Sequence, residues 1–270
     1  MERMVTNFKK HIKLYFKLIK FAVSLDLEYR WSFVLMVFVE LGFFIITIVN
    51  TRVVFWNINE IAGWNYNQVM VLLGVNMVFA ELLLGMFFVH NLRNLPNLIR
   101  NGDLDLILTK PVSSQFIVSM RRPYFAMVPS IIAGIITIYY GFIGIDEHVG
   151  FLNIFNAIII LGFGLVIAYS IGMLISTLSI WIIGGTPLIR LSEQFTFMAK
   201  IPNSAFYGFW RVFFIIVMPI AFMASFPAQA LMGDIKWWWF LLGFVLSVIF
   251  IQLSSLFWNF ALKKYSSASS

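Results

Sequence analysis

Phe151–Ile175 reads FLNIFNAIIILGFGLVIAYSIGMLI, twenty-five residues without a charged side chain. A helix needs about 20 apolar residues to cross a hydrocarbon core about 30 Å thick. This stretch therefore reads as a membrane span. Five others qualify or nearly qualify: Trp31–Val49, Val69–Val89, Tyr124–Ile145, Phe209–Phe226 and Trp237–Trp258. The expected fold is an all-α membrane protein with six transmembrane helices, forming a single transmembrane domain over residues 1–270.

The charges orient it. With these spans, 17 of the 19 Lys and Arg residues fall on one side, and only Arg52 and Lys236 on the other. Lys and Arg accumulate in short cytoplasmic loops, so N- and C-termini are both expected in the cytoplasm. Trp56, Trp64 and Trp237–Trp239 lie where an aromatic belt would mark the outer boundary. The chain is 61% hydrophobic and 11% charged, whereas a soluble domain is nearer half apolar and a quarter charged. A soluble fold could not bury this much apolar surface. The net charge of +7 is explained by the positive-inside bias, so no nucleic-acid partner is expected. There is no Cys, which removes disulfides and thiolate metal sites.

Residues 1–24 are predicted to form an amphipathic helix at the membrane interface. Phe8, Ile12, Tyr15, Phe16, Ile19 and Val23 recur at helical spacing, and Lys9, Lys10, Lys13, Lys17 and Lys20 project beside them. Such a helix lies in the headgroup plane, with Lys meeting anionic lipid. The interleaved Lys residues argue against a cleavable signal peptide.

The inner loop at 91–122 contains Ile99-Arg-Asn-Gly-Asp-Leu-Asp-Leu-Ile-Leu-Thr-Lys-Pro-Val112. Gly102 after Asn101 is suited to a left-handed turn that stops one short helix. Asp103 is expected to cap a second, with Leu104, Ile107 and Leu108 as its apolar face and Pro111 limiting its length. Ser113 or Ser114 caps the helix into the third span. This predicts an ordered helix–turn–helix held against the membrane.

That run resembles the signature loop of the type-2 permeases of ATP-binding-cassette (ABC) exporters, more narrowly a bacterial branch with an "IR-x-G-[DE]-L-D…L-x-[KR]-P" loop. Later residues resemble the same branch: Trp181, Pro202, Phe209-Trp-Arg211, Met218-Pro-Ile-Ala-Phe222 and Pro227-Ala-Gln-Ala-Leu-Met-Gly233. Ile180 stands before Trp181 where the branch usually has Phe.

The resemblance implies a type-2 ABC exporter fold and a permease subunit forming half of a translocation pathway. The partners it implies are a dimer of nucleotide-binding ATPase subunits, a second permease (a distinct homologue or a second copy), and membrane lipids. Arg93, Arg100, Gly102, Asp103, Leu104, Asp105, Lys110 and Pro111 would then form the element coupled to the ATPase, beside residues 1–24 as a connecting helix. Residues 219–233 would form an outer re-entrant hairpin, with Pro219, Pro227 and Gly233 at an outer gate. The implied location is a bacterial cell membrane, crossed several times.

No G-x-x-x-x-G-K-[ST] loop occurs in the chain, so phosphate-cradling geometry is missing and no catalytic residue is expected. No cofactor is expected on this chain. ATP and Mg would be bound by the partner ATPase. His11, His90 and His148 lie at different depths or sides, and no metal site is expected.

Glu40 and Glu81 are carboxylates inside predicted spans, where ionisable groups are costly. Their depths agree to within roughly 3 Å at 1.5 Å per residue. Three readings stand: hydrogen-bonded structural carboxyls, polar lining of a pathway, or a proton relay. The last defines the alternative function, a proton-coupled secondary transporter. Pro129, Pro187, Pro202 and Pro219 are expected to interrupt helices, and Pro219 to kink the fifth. Gly162, Gly164 and Gly172 are candidates for close helix approach. Residues 182–208 are too polar for a clean span, and Leu188–Ala199 is predicted to lie against the inner membrane surface. Phe and Met richness hints only weakly at lipophilic cargo.

Overall fold

The computed structural model describes residues 17–20, 22, 24, 30–145, 149–182 and 185–265. Of the predicted amphipathic helix only 17–20, 22 and 24 are among them, all helical. The rest of that helix, like Asp146, Glu147 and His148, lies outside the described residues. The described residues form helices and an isolated bridge between Ile61 and Trp64, with no strand.

The longer helices are α1 (Arg30–Asn57), α2 (Tyr66–Leu83, continued by a π-helical turn Leu84–Phe88), α6 (Val128–Ile143), α7 (Phe151–Thr177) and α12 (Trp238–Leu262). The short ones are α3 (Leu95–Arg100), α4 (Asp103–Leu108), α5 (Ser114–Met120), α8 (Thr186–Glu193), α9 (Phe195–Met198), α10 (Gly208–Val212, continued by a π-helical turn Phe213–Val217) and α11 (Ser225–Leu231). Four helices are long and apolar enough to cross a membrane: Val37–Asn57, Tyr66–Phe88, Phe151–Ile180 and Trp238–Leu262. A fifth is added if the bent pair Gly208–Val217 and Ile220–Leu231 counts as one span.

Two of the six expected spans therefore differ. The third is only a 16-residue apolar helix, about 24 Å long at 1.5 Å per residue. Its predicted first turn is a 3-10 turn, Phe125–Met127, after an extended Tyr124, and leads directly into α6. The fifth is bent by 64° at Met218-Pro219. Pro219 lacks the N–H needed to carry the helix on. By contrast Pro129 and Pro187 occupy the first turns of α6 and α8, where the missing N–H costs nothing. They start helices rather than interrupt them. Arg52, expected in an outer loop, lies within α1.

Helix α2 forms the centre. Gly74 and Gly134 face each other across the α2–α6 contact, so that a Cβ on Gly74 would lie 2.7 Å from the Gly134 carbonyl oxygen. Asn67 at the start of α2 donates to the Gly144 carbonyl after α6 at 2.8 Å, which makes the two helices antiparallel. Gly164 and Gly172 of α7 also admit close neighbours, Phe222 and Phe88 respectively, whereas Gly162 faces open space. Most of α1 is bare of protein, with Leu35, Phe38, Phe43 and Ile45 exposed. In lipid such a face needs no further cover, because the helix satisfies its own backbone.

Residues 186–205 depart furthest from expectation. Glu193 pairs with Arg93, beyond the C-terminal end of α2. The Thr196 carbonyl accepts from Asn76, in the middle of α2, at 2.9 Å. Ser204 donates to the Ala62 carbonyl, ahead of the N-terminus of α2, at 2.7 Å. The segment thus climbs along α2 from end to end, and Leu188–Ala199 does not lie flat on the inner surface. A broken, polar backbone is tolerated at membrane depth where protein surrounds it. Asn76 is buried, and Asn76→Ala leaves the Thr196 carbonyl without its donor. We expect a loss of about 1–3 kcal/mol, measured as a lower Tm in detergent. An unchanged Tm would contradict this role.

Candidate functional site

The loop after α2 is built as a hairpin of short helices. Asn101 closes α3 with its N–H on the Asn97 carbonyl, and Gly102 follows at φ +76 with its N–H on the Ile99 carbonyl. That left-handed backbone is one that L side chains rarely adopt, so Gly is required there. Leu92, Leu95, Leu98, Leu104 and Ile107 are buried and hold α3 and α4 against the bundle. Asp103 is not the cap it was expected to be. Gly102 takes that position, and Asp103 and Asp105 lie in the first turn of α4, where the positive helix end favours carboxylates. Ser113 caps α5, its Oγ accepting from the Phe116 N–H at 3.4 Å.

The outer face of this hairpin is exposed. Arg100, Asp103, Leu106, Leu108, Lys110 and Pro111 point away from the bundle, while Asp105 is half-buried. Charged groups of both signs thus flank two bare leucines on a rigid element. Such a surface is suited to docking another protein rather than to chemistry.

Arg93 is turned to the other side. Its guanidinium donates through Nε and Nη2 to both oxygens of the buried Glu193 carboxylate. This fork–fork pair fixes the start of the loop to α8. Sequence reading named Arg93 but missed Glu193, which lay in a segment taken for a surface helix. It also missed the buried Asn91. The Asn91 Nδ2 donates to the Met86 carbonyl at 2.9 Å and the Arg122 carbonyl at 3.2 Å, and its Oδ1 accepts the Arg122 N–H at 2.9 Å. With Tyr124 N–H on the Gly85 carbonyl at 2.8 Å, these bonds stitch the far end of the loop to the π-helical turn of α2.

Glu40 of α1 and Glu81 of α2 are both half-buried. Elsewhere, Pro219 lies in the break between α10 and α11, Pro227 is buried in α11, and Gly233 follows at φ +79. Phe222 at the bend is fully buried against Gly164 and Gly243, and Gly233 lies by Asn153 near the start of α7. The α10–α11 pair, bent by 64°, thus runs beside α7 between Gly164 and Asn153, about 16 Å apart along that helix at 1.5 Å per residue. Among the described residues no group of three His, Cys, Asp or Glu side chains could hold a metal ion.

A family model described as ABC-2 family transporter protein matches residues 19–269. No curated protein and no solved structure matches the chain.

Proposed function

The chain belongs to the ABC-2 family of transporter proteins, and from that premise we propose that it is the permease subunit of an ATP-driven exporter, coupled to a separate ATPase. The chain is a multi-pass membrane protein. The observation that carries the finer reading is the exposed α3–α4 hairpin, a rigid docking element at the mouth of the bundle. ATP binding would close the ATPase dimer and push this hairpin, and with it α2 and α8 through the Arg93–Glu193 pair. Two permeases would answer by a rigid-body rearrangement about a bistable interface.

The topology in this reading has six crossings. Residues 186–205 make the fifth, supported by their successive contacts with Arg93, Asn76 and Ala62. The α10–α11 pair is then a re-entrant hairpin entering from outside, with Pro219, Pro227 and Gly233 framing an outer gate. Lys200 and Arg211 leave the inner set, yet 15 of 19 Lys and Arg residues remain there. Both termini stay cytoplasmic by the positive-inside bias, and the membrane is a bacterial cell membrane. Glu40 and Glu81 fit polar lining or mutual hydrogen bonding. The family supplies no support for a proton relay.

Co-purification in mild detergent tests the reading. We expect an ATPase subunit to accompany the chain, together with a second permease. A chain that runs alone and transports on a proton gradient without ATP would overturn it. Asp103→Ala combined with Asp105→Ala is expected to uncouple ATP hydrolysis from transport while leaving insertion intact. Full transport in that double variant would remove the hairpin from the coupling path.

A further inference from the structure

A cavity of about 890 Å³ lies between the C-terminal end of α1 and the start of α2, at the opposite end of α2 from the α3–α4 hairpin. Arg52, Trp56 and Asn59 line one side, and Asn65, Tyr66 and Asn67 the other. Its volume is that of a small-ligand site, about 300–1,000 Å³. The frame is held in place. Ile61 and Trp64 exchange backbone hydrogen bonds of 2.9 and 3.0 Å. Asn65 and Gln68 cap α2 reciprocally. Phe55 packs edge-on to Tyr66, 5.6 Å between ring centroids, and so joins the two walls.

An apolar track leads into this cavity. Phe38, Leu41, Ile45, Val49 and Trp56 are exposed. With Arg52 they recur every three or four residues, which sets them along one face of α1. The track runs the length of the helix and ends at Arg52 and Trp56, in the cavity wall.

We infer that the cavity seats the headgroup of a hydroxyl-bearing anionic phospholipid, whose acyl chains lie along the track on α1. Arg52 presents a planar fork of donors that matches phosphate oxygens two at a time. Asn65 accepts the Gln68 N–H through Oδ1, and Asn67 donates to the Gly144 carbonyl through Nδ2. Those bonds position both amides and leave the Asn65 Nδ2 and the Asn67 Oδ1 outside them. A donor and an acceptor are what a hydroxyl group needs. Trp56 stands where aromatic rings mark the headgroup level. A soluble anion has no use for the apolar track, and a bare acyl chain has none for a guanidinium and three amides. An amphiphile uses both. The inference needs only that this end of the bundle reaches a membrane surface, and is independent of the exporter reading and of ATP coupling.

The test uses the full-length chain with its accompanying subunits in mild detergent. A phosphatidylglycerol with a photoreactive group on one acyl chain is cross-linked, and labelling of residues 38–57 is read by mass spectrometry. Unlabelled phosphatidylglycerol, phosphatidylmethanol, phosphatidylcholine and soluble glycerophosphoglycerol then compete separately. We expect phosphatidylglycerol to displace the probe from α1 at about one fifth of the concentration that phosphatidylcholine needs, the gain from one cation beside an anionic headgroup. Phosphatidylmethanol, which keeps the charge and lacks the hydroxyls, should fall between them. Arg52→Gln should bring phosphatidylglycerol and phosphatidylcholine to within about twofold, and Arg52→Lys should keep part of the preference. Equal displacement by these two lipids in the parent would overturn the site, as would an unchanged preference in Arg52→Gln. Displacement by glycerophosphoglycerol as effective as by the intact lipid would overturn the lipid assignment in favour of a soluble ligand. Labelling of the chain alone but not of the complex would overturn it in favour of a second permease covering this face. Asn59 is exposed, so Asn59→Ala serves if Arg52→Gln fails to fold. It should narrow the gap between phosphatidylglycerol and phosphatidylmethanol, and an unchanged gap would remove the amides from headgroup recognition and overturn the site.

Discussion

Arg93→Ala is expected to cost about 3 kcal/mol and to deplete the folded chain from the membrane. Glu193 is buried, and both its carboxylate oxygens rest on the Arg93 guanidinium. Removing the guanidinium strands a buried carboxylate, a change that typically costs about 3–5 kcal/mol. Arg93 keeps 31% of its side-chain exposure, and screening by water at that partner argues for the lower end of the range. Replacing both residues with apolar ones of similar volume, Arg93→Met with Glu193→Leu, should recover much of the loss, because no charge is then left unpaired. Fluorescence-detected gel filtration and Tm in detergent measure both variants. A single variant as stable as the parent would mean that water or another base replaces Arg93.

Gly164→Val is expected to dislodge the tip of the α10–α11 hairpin, at about 1–3 kcal/mol. A Cβ on Gly164 would collide with the carbonyl of Phe222, which is backbone and cannot swing aside. Phe222 is wedged against the Phe226 ring, 4.9 Å between centroids, and against Gly243. Helix α11 also packs against α7. Gly162→Val is the matched control, since nothing lies within 4 Å of its added Cβ. The control should leave Tm and transport unchanged, while Gly164→Val lowers both. Equal behaviour of the two variants would show that the hairpin does not depend on this contact.

Much of the architecture was legible along the chain. The long apolar runs of α2, α7 and α12 read as spans because transfer of an apolar segment into lipid is close to a sum over its residues. The α3–α4 turn was legible for a different reason. A left-handed residue at 102 is a local demand of the backbone, and Gly meets it. Other features were misread by the same local logic. Arg190, Glu193 and Lys200 made residues 182–208 look too polar for a clean span. A hydropathy window cannot register that Arg93 neutralises Glu193 or that Asn76 satisfies the Thr196 carbonyl. Conversely, the apolar run Phe209–Phe226 looked like one continuous helix, although it is broken by a 64° bend at Pro219.

Membrane residence, helical regular structure and an ordered hairpin after the second long helix were all written in the linear chain. These properties depend on each segment's own composition and backbone. The climb of residues 186–205 along α2, the carboxylate that Arg93 holds and the close approach of Phe222 to α7 emerge only on folding. Each of these is fixed by contacts between residues far apart in the chain: 100 positions for Arg93 and Glu193, 120 for Asn76 and Thr196, 142 for Ala62 and Ser204. The free energy of a buried polar group depends on the partner that reaches it, and folding alone brings that partner into range.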